Sequence, residues 1–92
     1  MSVILGNAVV PANSTVPAFT MPILSNVVIY QPTTPQAVYI GTSAKVSAAN
    51  GMPVPVSPLT VENYNSSSSV TYYATTGNGT ASSFQYIINT SN

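Results

Sequence analysis

Proline spacing is the feature that most limits what this 92-residue chain can fold into. Eight prolines lie between Pro11 and Pro58, and within a helix each would remove an N–H donor and clash with the preceding turn. Helical periodicity is also absent, whereas β-branched and aromatic residues recur in short runs separated by Pro or Gly. The chain is therefore predicted to be all-β, a small antiparallel β-sandwich or barrel of six to seven short strands.

The length is sufficient for one hydrophobic core and too short for two. Residues 1–92 are predicted to form a single β domain, with residues 23–92 as the sandwich core. Residues 1–22 contain Pro11, Pro17 and Pro22 and are predicted to form an extended Pro-rich arm or an edge. A first strand at residues 3–10, divided by Gly6 and Asn7, precedes these prolines.

The remaining strands are predicted from runs of β-forming residues and from alternation. They lie at residues 23–30, 37–41, 44–48, 59–64, 70–75 and 82–88. Alternation in 44–48 places Lys45 on the outward face. Asn50-Gly51 predicts a turn, and Gly77-Asn78-Gly79 predicts a hairpin that joins the last two strands.

Charge is almost absent, because Lys45 and Glu62 are the only charged side chains and the chain has no His or Cys. A disulfide and a metal site are therefore excluded, and no cofactor is expected. One Lys cannot neutralise the phosphates of a nucleic acid or bind an anionic membrane surface. The apolar runs are also too short for a transmembrane helix, so neither partner is expected.

Catalysis is not expected either, because a Ser nucleophile needs a neighbouring base. The best candidate is Ser43 or Ser47 paired with Lys45. Ser47 lies two residues from Lys45 on the predicted strand, and a solvated strand face produces the same arrangement. The chain is predicted not to be an enzyme.

Self-association is the remaining way to stabilise so small a domain. Net charge is zero at neutral pH, so nothing keeps copies of the chain apart. Lys45 and Glu62 are candidates for an ion pair across strands or subunits that would help to fix register. Two unrelated solvated side chains explain them equally well.

The N-terminal arm is the main candidate interaction segment. Its apolar side chains would lie across a neighbouring subunit or add a strand to that subunit's edge, an interpretation we favour over an arm that folds back on its own sandwich. The predicted interaction residues are Val9, Val10, Val16, Phe19 and Met21, together with Lys45 and Glu62. A sugar-binding patch around Tyr30, Tyr64 or Tyr73 is an alternative use of the aromatic residues, which core or subunit packing explains better.

A family resemblance lies within residues 38–87. It is carried by the segments Val38-Tyr39-Ile40-Gly41, Asn50-Gly51-Met52-Pro53-Val54, Tyr72-Tyr73-Ala74 and Gly77-Asn78-Gly79-Thr80-Ala81. In this order the segments resemble small virion proteins of tailed phages. Residues 1–30 depart from that pattern, and the terminal hairpin lacks the Arg and Glu that the family usually carries there.

The resemblance implies a β-sandwich in a virus particle. The expected function is that of a capsid decoration or cement protein, located on the capsid surface, that binds the major capsid protein in many copies. A homo-oligomer is also expected, and a trimer would match local capsid symmetry. The alternative is a receptor- or glycan-binding module of a tail or head fibre.

Overall fold

The structure is a computed structural model that describes residues 2–30, 38–54, 59–63, 67–76 and 81–90. Within these residues there are eight strands: β1 (Ser2–Val10), β2 (Thr15–Met21), β3 (Ser25–Tyr30), β4 (Tyr39–Gly41), β5 (Met52–Pro53), β6 (Leu59–Asn63), β7 (Val70–Thr75) and β8 (Ser82–Thr90). No helix in this part of the chain is long and apolar enough to cross a membrane.

Two four-stranded antiparallel sheets make up the fold. The first sheet has the order β1-β8-β3-β6 and the second has the order β2-β7-β4-β5. The all-β prediction is confirmed at this level, and the arrangement is consistent with a β-sandwich. The predicted strand count of six to seven is not confirmed, because the described residues contain eight strands.

The core lies between the inward faces of the two sheets. Because alternate side chains of a strand point to opposite faces, each long strand contributes every second residue. The buried apolar side chains are Ala8, Val10, Phe19, Met21, Val27, Ile29, Val38, Ile40, Val54, Ala74, Phe84 and Ile88. Phe19 is central among the aromatic rings: it stacks on Tyr72 at a centroid distance of 5.2 Å and meets Phe84 edge-on at 6.3 Å.

The N-terminal segment forms two paired strands, so the predicted extended arm is not confirmed. β1 pairs along its whole length with β8, and β2 pairs with β7. Val10 and Met21 are fully buried. The physical reason is core volume, since a domain this small needs the apolar area of its N-terminal third to close its sandwich.

The predicted hairpin between β7 and β8 is wrong. β7 pairs with β2 and β4 in the second sheet, and β8 pairs with β1 and β3 in the first. A local turn signal indicates that the chain reverses, but it does not say whether the reversal stays within a sheet or passes between sheets. Residues 77–80, which carry the signal, lie outside the described residues.

The segment predicted as a strand at 44–48 is a loop. The Val46 amide donates to the Ser43 carbonyl at 3.1 Å, and the Gly51 amide donates to the Ser47 carbonyl at 2.7 Å. The predicted Asn50-Gly51 turn is present, closed also by the Ser47 amide, which donates to Asn50 Oδ1 at 2.8 Å. Local hydrogen bonds of Ser and Asn outcompete strand pairing here.

This loop lies against the outer face of the second sheet. Val46 is buried, and a Cβ added to Gly41 would lie 2.9 Å from a methyl carbon of Val46. A side chain at Gly41 would therefore push the loop off the sheet. Thr75 of β7 is also buried, although its strand neighbour Ala74 is the one that points into the core. The second sheet thus has part of its outer face covered.

Candidate interaction surface

The open edge of β1 is the candidate binding surface in the described part of the chain. Among the described residues β1 is hydrogen-bonded to β8 alone, so the other side of this nine-residue strand presents unpaired N–H and C=O groups. The strand contains no proline and no charged residue. Its register with β8 runs without interruption from Ser2 to Val10. Such an edge is a template for pairing with another strand.

The edge strand of the second sheet, β2, is protected in two ways. Pro17 lacks an N–H group, and the register with β7 shifts between Pro17 and Phe19, which leaves Ala18 as a bulge. A bulge twists a strand and interrupts the row of bonding groups that a neighbour would need. This edge does not offer a regular ladder.

The two other edges are short or charged. β5 consists only of Met52 and Pro53. β6 has five residues, and Glu62 is exposed on it. Short length, proline and charge are the usual means by which edge strands avoid unwanted pairing. Of the four edges in the described structure, β1 is the one without any of these protections.

The outer face of the first sheet carries an apolar row that ends at this edge. Leu5 lies opposite Ile87, Ile87 opposite Val28, and Val28 opposite Thr60. Leu5 is 73% exposed, while Ile87 and Val28 are half-buried. Val3 and Val9, two positions before and four after Leu5 on the same outer face, are 56% and 63% exposed. Exposed aliphatic residues therefore concentrate on β1 itself.

Amide side chains border the apolar row. Asn89 Nδ2 donates a hydrogen bond to Asn26 Oδ1 at 3.0 Å, and these two residues lie opposite each other on β8 and β3. On the other side of the row, Asn7 lies opposite Gln85. The donors and acceptors beside the row on β1, β8 and β3 are thus uncharged amides, and Glu62 lies further along on β6. Amide borders suit recognition by shape and hydrogen bonding.

A groove of about 290 Å³ runs beside Leu5 at this edge, lined by Leu5, Gly6, Gln85, Tyr86 and Ile87. Tyr86 lies opposite Gly6, and its ring occupies the space that a Cβ at Gly6 would need. The same ring contacts Phe19 of β2 at 5.2 Å. Tyr86 therefore connects the core to the strand with the free edge, and Gly6 is required for that contact.

The predicted interaction residues separate into three groups. Val10, Phe19 and Met21 are buried in the protein's own core, so they cannot contact a partner in this fold. Val9 is exposed on β1 and Val16 is half-buried on β2. Three of the five predicted arm residues therefore belong to the core of this chain, and Val9 is the one exposed on the open edge.

The two charged residues lie in different parts of the structure, one in a loop and one on a strand. Lys45 is exposed in the loop between β4 and β5. Glu62 is exposed on β6 in the first sheet, opposite Asn26. The pairing of Lys45 with Glu62 stays a prediction.

The serines considered as nucleophiles hold the loop around Lys45. The Lys45 amide donates to Ser43 Oγ at 3.1 Å, and the Ala49 amide donates to Ser47 Oγ at 3.2 Å. Both hydroxyl groups therefore accept turn hydrogen bonds, a role that explains their positions without chemistry.

Of the tyrosines predicted for a sugar-binding patch, Tyr73 lies half-buried on β7 opposite Pro17 and Gly41. Tyr64 and the side chain of Tyr30 lie outside the described residues. A depression of about 480 Å³ on this side of the molecule is lined by Asn13, Ser14, Thr15, Val46, Ser47, Ala48, Ala49 and Thr75. The described residues of its lining contribute hydroxyl and amide groups, and none of them is a tyrosine.

Leu5, Val28 and Ile87 were missed as interaction residues by sequence reasoning. The available signal was the strand at residues 3–10, which has neither proline nor charge over its length. That the strand is an edge depends on pairing with β8, about eighty residues later in the chain, and no local pattern reports such a pairing.

No protein-family model, no curated protein and no solved structure matches this chain.

Proposed function

We propose that the protein is a structural component of a virus particle, a capsid decoration or cement protein that binds the major capsid shell in many copies. The observation that carries the proposal is the outer face of the first sheet, where an uncharged aliphatic row ends at an unprotected edge. The resemblance of residues 38–87 to small phage virion proteins supports the choice of partner.

The chemistry of binding would be apolar burial. Each Å² of apolar surface removed from water contributes about 25 cal/mol before the costs of association. Leu5, Val3 and Val9 offer such area on the open face, and the bordering amides supply hydrogen bonds at its rim. A homo-oligomer would attach more firmly than a single copy, because its linked copies would bind the same particle together.

The proposal predicts weak dependence on salt. The chain has one Lys and one Glu, so few charge contacts are available for ions to screen. Retention of the protein on purified particles should change little between low and moderate salt concentration. A steep loss over that range would contradict binding by apolar burial.

The first experiment is to count copies of the protein on purified particles by quantitative mass spectrometry, relative to the major capsid protein. A copy number comparable to that of the major capsid protein supports a decoration role. A few copies would assign the protein to a tail, vertex or fibre, and none would remove the virion proposal.

A second experiment assigns the surface. Shells without the protein are incubated with the wild type, with Leu5→Asn, and with Thr60→Ala as a matched control. Thr60 is exposed on the same outer face, at the sheet edge opposite Leu5. Leu5→Asn should lower shell occupancy, and Thr60→Ala should not. Equal occupancy for all three would exclude the β1 side as the shell contact.

A tail or head-fibre module that binds glycans is the second candidate. The 480 Å³ depression beside Asn13 and Ser47 favours it, since hydroxyl and amide groups can bond to sugar hydroxyls. Titration against a glycan array would reveal such binding, and Ser47→Val should then weaken it. Together with a low copy number per particle, that result would replace the decoration proposal.

A further inference from the structure

We propose that β1 pairs antiparallel with β1 of a second copy of this chain, about a two-fold axis at Asn7. The two first sheets would then form one continuous eight-stranded sheet. The inference does not depend on the virion proposal, because it follows from the edge alone and is tested on the purified protein in solution.

The β1 edge lacks the features that would prevent a second copy of the same strand from pairing with it. β1 has no proline, no charge and no bulge, so nothing on it repels an identical strand. All strand pairs in the described structure are antiparallel, which is also the arrangement that a two-fold axis generates. A second copy always offers a matching alternation of inward and outward side chains, because the two strands are identical.

The side chains favour one register. With Asn7 opposite Asn7 of the partner subunit, Leu5 lies opposite Val9 of the partner subunit, and the symmetry repeats this apolar pair. The two Asn amides face each other, as Asn89 and Asn26 do within the sheet at 3.0 Å. Aliphatic pairs and amide pairs directly across strands are each stabilising.

Two neighbouring registers keep the faces aligned. The register with Ala8 opposite Ala8 of the partner subunit places Asn7 opposite Val9 of the partner subunit, an amide against an apolar group. The other has Gly6 opposite Gly6 of the partner subunit. It places Leu5 opposite Asn7 of the partner subunit, an apolar group against an amide, and does so twice. It also places two residues without side chains together at the centre of the interface. The register at Asn7 avoids both defects.

The same register covers an inward side chain that the monomer leaves exposed. Ile4 points to the core side of β1 but is 46% exposed, because no strand lies beyond it in the described structure. In the dimer Ile4 lies opposite Val10 of the partner subunit. The interface thus combines backbone hydrogen bonds with apolar contacts on both faces of the sheet.

The two-fold axis would run perpendicular to the sheet, so both outer faces would lie on the same side. The aliphatic rows that begin at Leu5 would then meet at the centre of the dimer. A dimer therefore brings the apolar rows of two monomers together in one continuous face.

The test uses charge at the axis. Asn7 is exposed on the outer face, so Asn7→Lys and Asn7→Glu should leave the monomer folded. Each variant alone places two like charges face to face across the axis, which should weaken dimerisation at least about tenfold. An equimolar mixture of the two places Lys opposite Glu and should recover a dimer. The measurement is sedimentation equilibrium, with circular dichroism to verify folding.

Thr60→Lys and Thr60→Glu serve as matched controls, because Thr60 is exposed on the same face at the far edge. Both should dimerise as the wild type does. A wild type that is monomeric up to millimolar concentration would overturn the inference. So would dimers that persist in both Asn7 variants, or dimers that are lost in each variant and not recovered on mixing. Misfolding of either variant would also contradict the exposed position on which the register rests.

Discussion

The two N-terminal strands occupy the same kind of position and differ in almost every other respect. β1 and β2 are both edge strands, one in each sheet. β2 has a proline and a bulge on its edge and places Phe19 and Met21 in the core. β1 is regular over nine residues, contributes the smaller Ala8 and Val10 to the core, and exposes its larger aliphatic residues.

Edge protection and the larger core side chains therefore occur together in β2, and β1 has less of both. β2 is closed to neighbours and stabilises the monomer. β1 gives less to the monomer and keeps its bonding groups and aliphatic side chains available. An unprotected edge of this kind favours aggregation unless a partner covers it, which is why we propose β1 for binding, and not β2 with its proline and bulge.

Deleting residues 1–22 should have the largest effect, the loss of the folded state. The deletion removes both strands together with Val10, Phe19 and Met21, and it leaves β8 and β7 as new unprotected edges. The measurement is thermal unfolding followed by near-ultraviolet circular dichroism. No cooperative transition is expected.

The opposite result of this deletion would be equally informative. A truncated chain that still melts cooperatively would mean that residues 1–22 are the separate arm that the proline pattern predicts. β1 and β2 would then be two parts of a segment that the domain does not need in order to fold, and not two edge strands of one domain.

Single truncations should separate the roles of the two strands. Phe19→Ala removes a ring that contacts Tyr72, Phe84 and Tyr86, and it should lower the free energy of unfolding by about 3–5 kcal/mol. Leu5→Ala changes an exposed side chain and should alter the stability of the monomer by no more than about 0.5 kcal/mol. Chemical denaturation at a concentration where the protein is monomeric compares the two. Equal losses would mean that β1 supports the core as much as β2 does.

How far the sequence predicts this structure depends on the range of the interaction. Alternation places Leu59 and Val61 on the more buried side of β6 and Glu62 on the exposed side, as the structure has them. The turn at Asn50-Gly51 is also predicted, because its hydrogen bonds are local.

Pairing between distant strands could not be predicted in the same way. β8 begins shortly after β7 but pairs with β1 and β3, and no local sequence pattern between the two strands encodes that choice. Val46 shows a related failure of prediction from local sequence. Its burial fits the alternation of a strand, but Val46 lies in a loop and is buried because that loop packs over Gly41. The candidate surface was missed for the same reason. A strand lies at the edge of a sheet only when no other strand pairs with its second side, and the local sequence does not report this.

Gly6→Ala tests whether the contact between Gly6 and Tyr86 connects β1 to the core. The new Cβ would overlap the ring of Tyr86, and displacing that ring should lower the free energy of unfolding by about 1–3 kcal/mol. Tyr86→Val removes the obstacle, so Gly6→Ala should cost less in that background. A double-mutant cycle from denaturation curves measures the coupling. Additive losses would show that the ring does not limit residue 6.

Pro17→Thr should have only a small effect on stability, and it makes the edge of β2 more similar to that of β1. The strand regains an N–H group at its edge, while the bulge at Ala18 and the inward Phe19 are unchanged. Pro17 is exposed, so the free energy of unfolding should change by less than about 1 kcal/mol. Self-association through the second sheet should increase, and it should be visible by sedimentation in the Asn7→Lys background, where the β1 edge is blocked. If Pro17→Thr stays as monomeric as its parent, the bulge at Ala18 is sufficient to protect β2. A bulge interrupts the regular hydrogen bonding that a second strand would need, so the added N–H group would not allow that strand to pair.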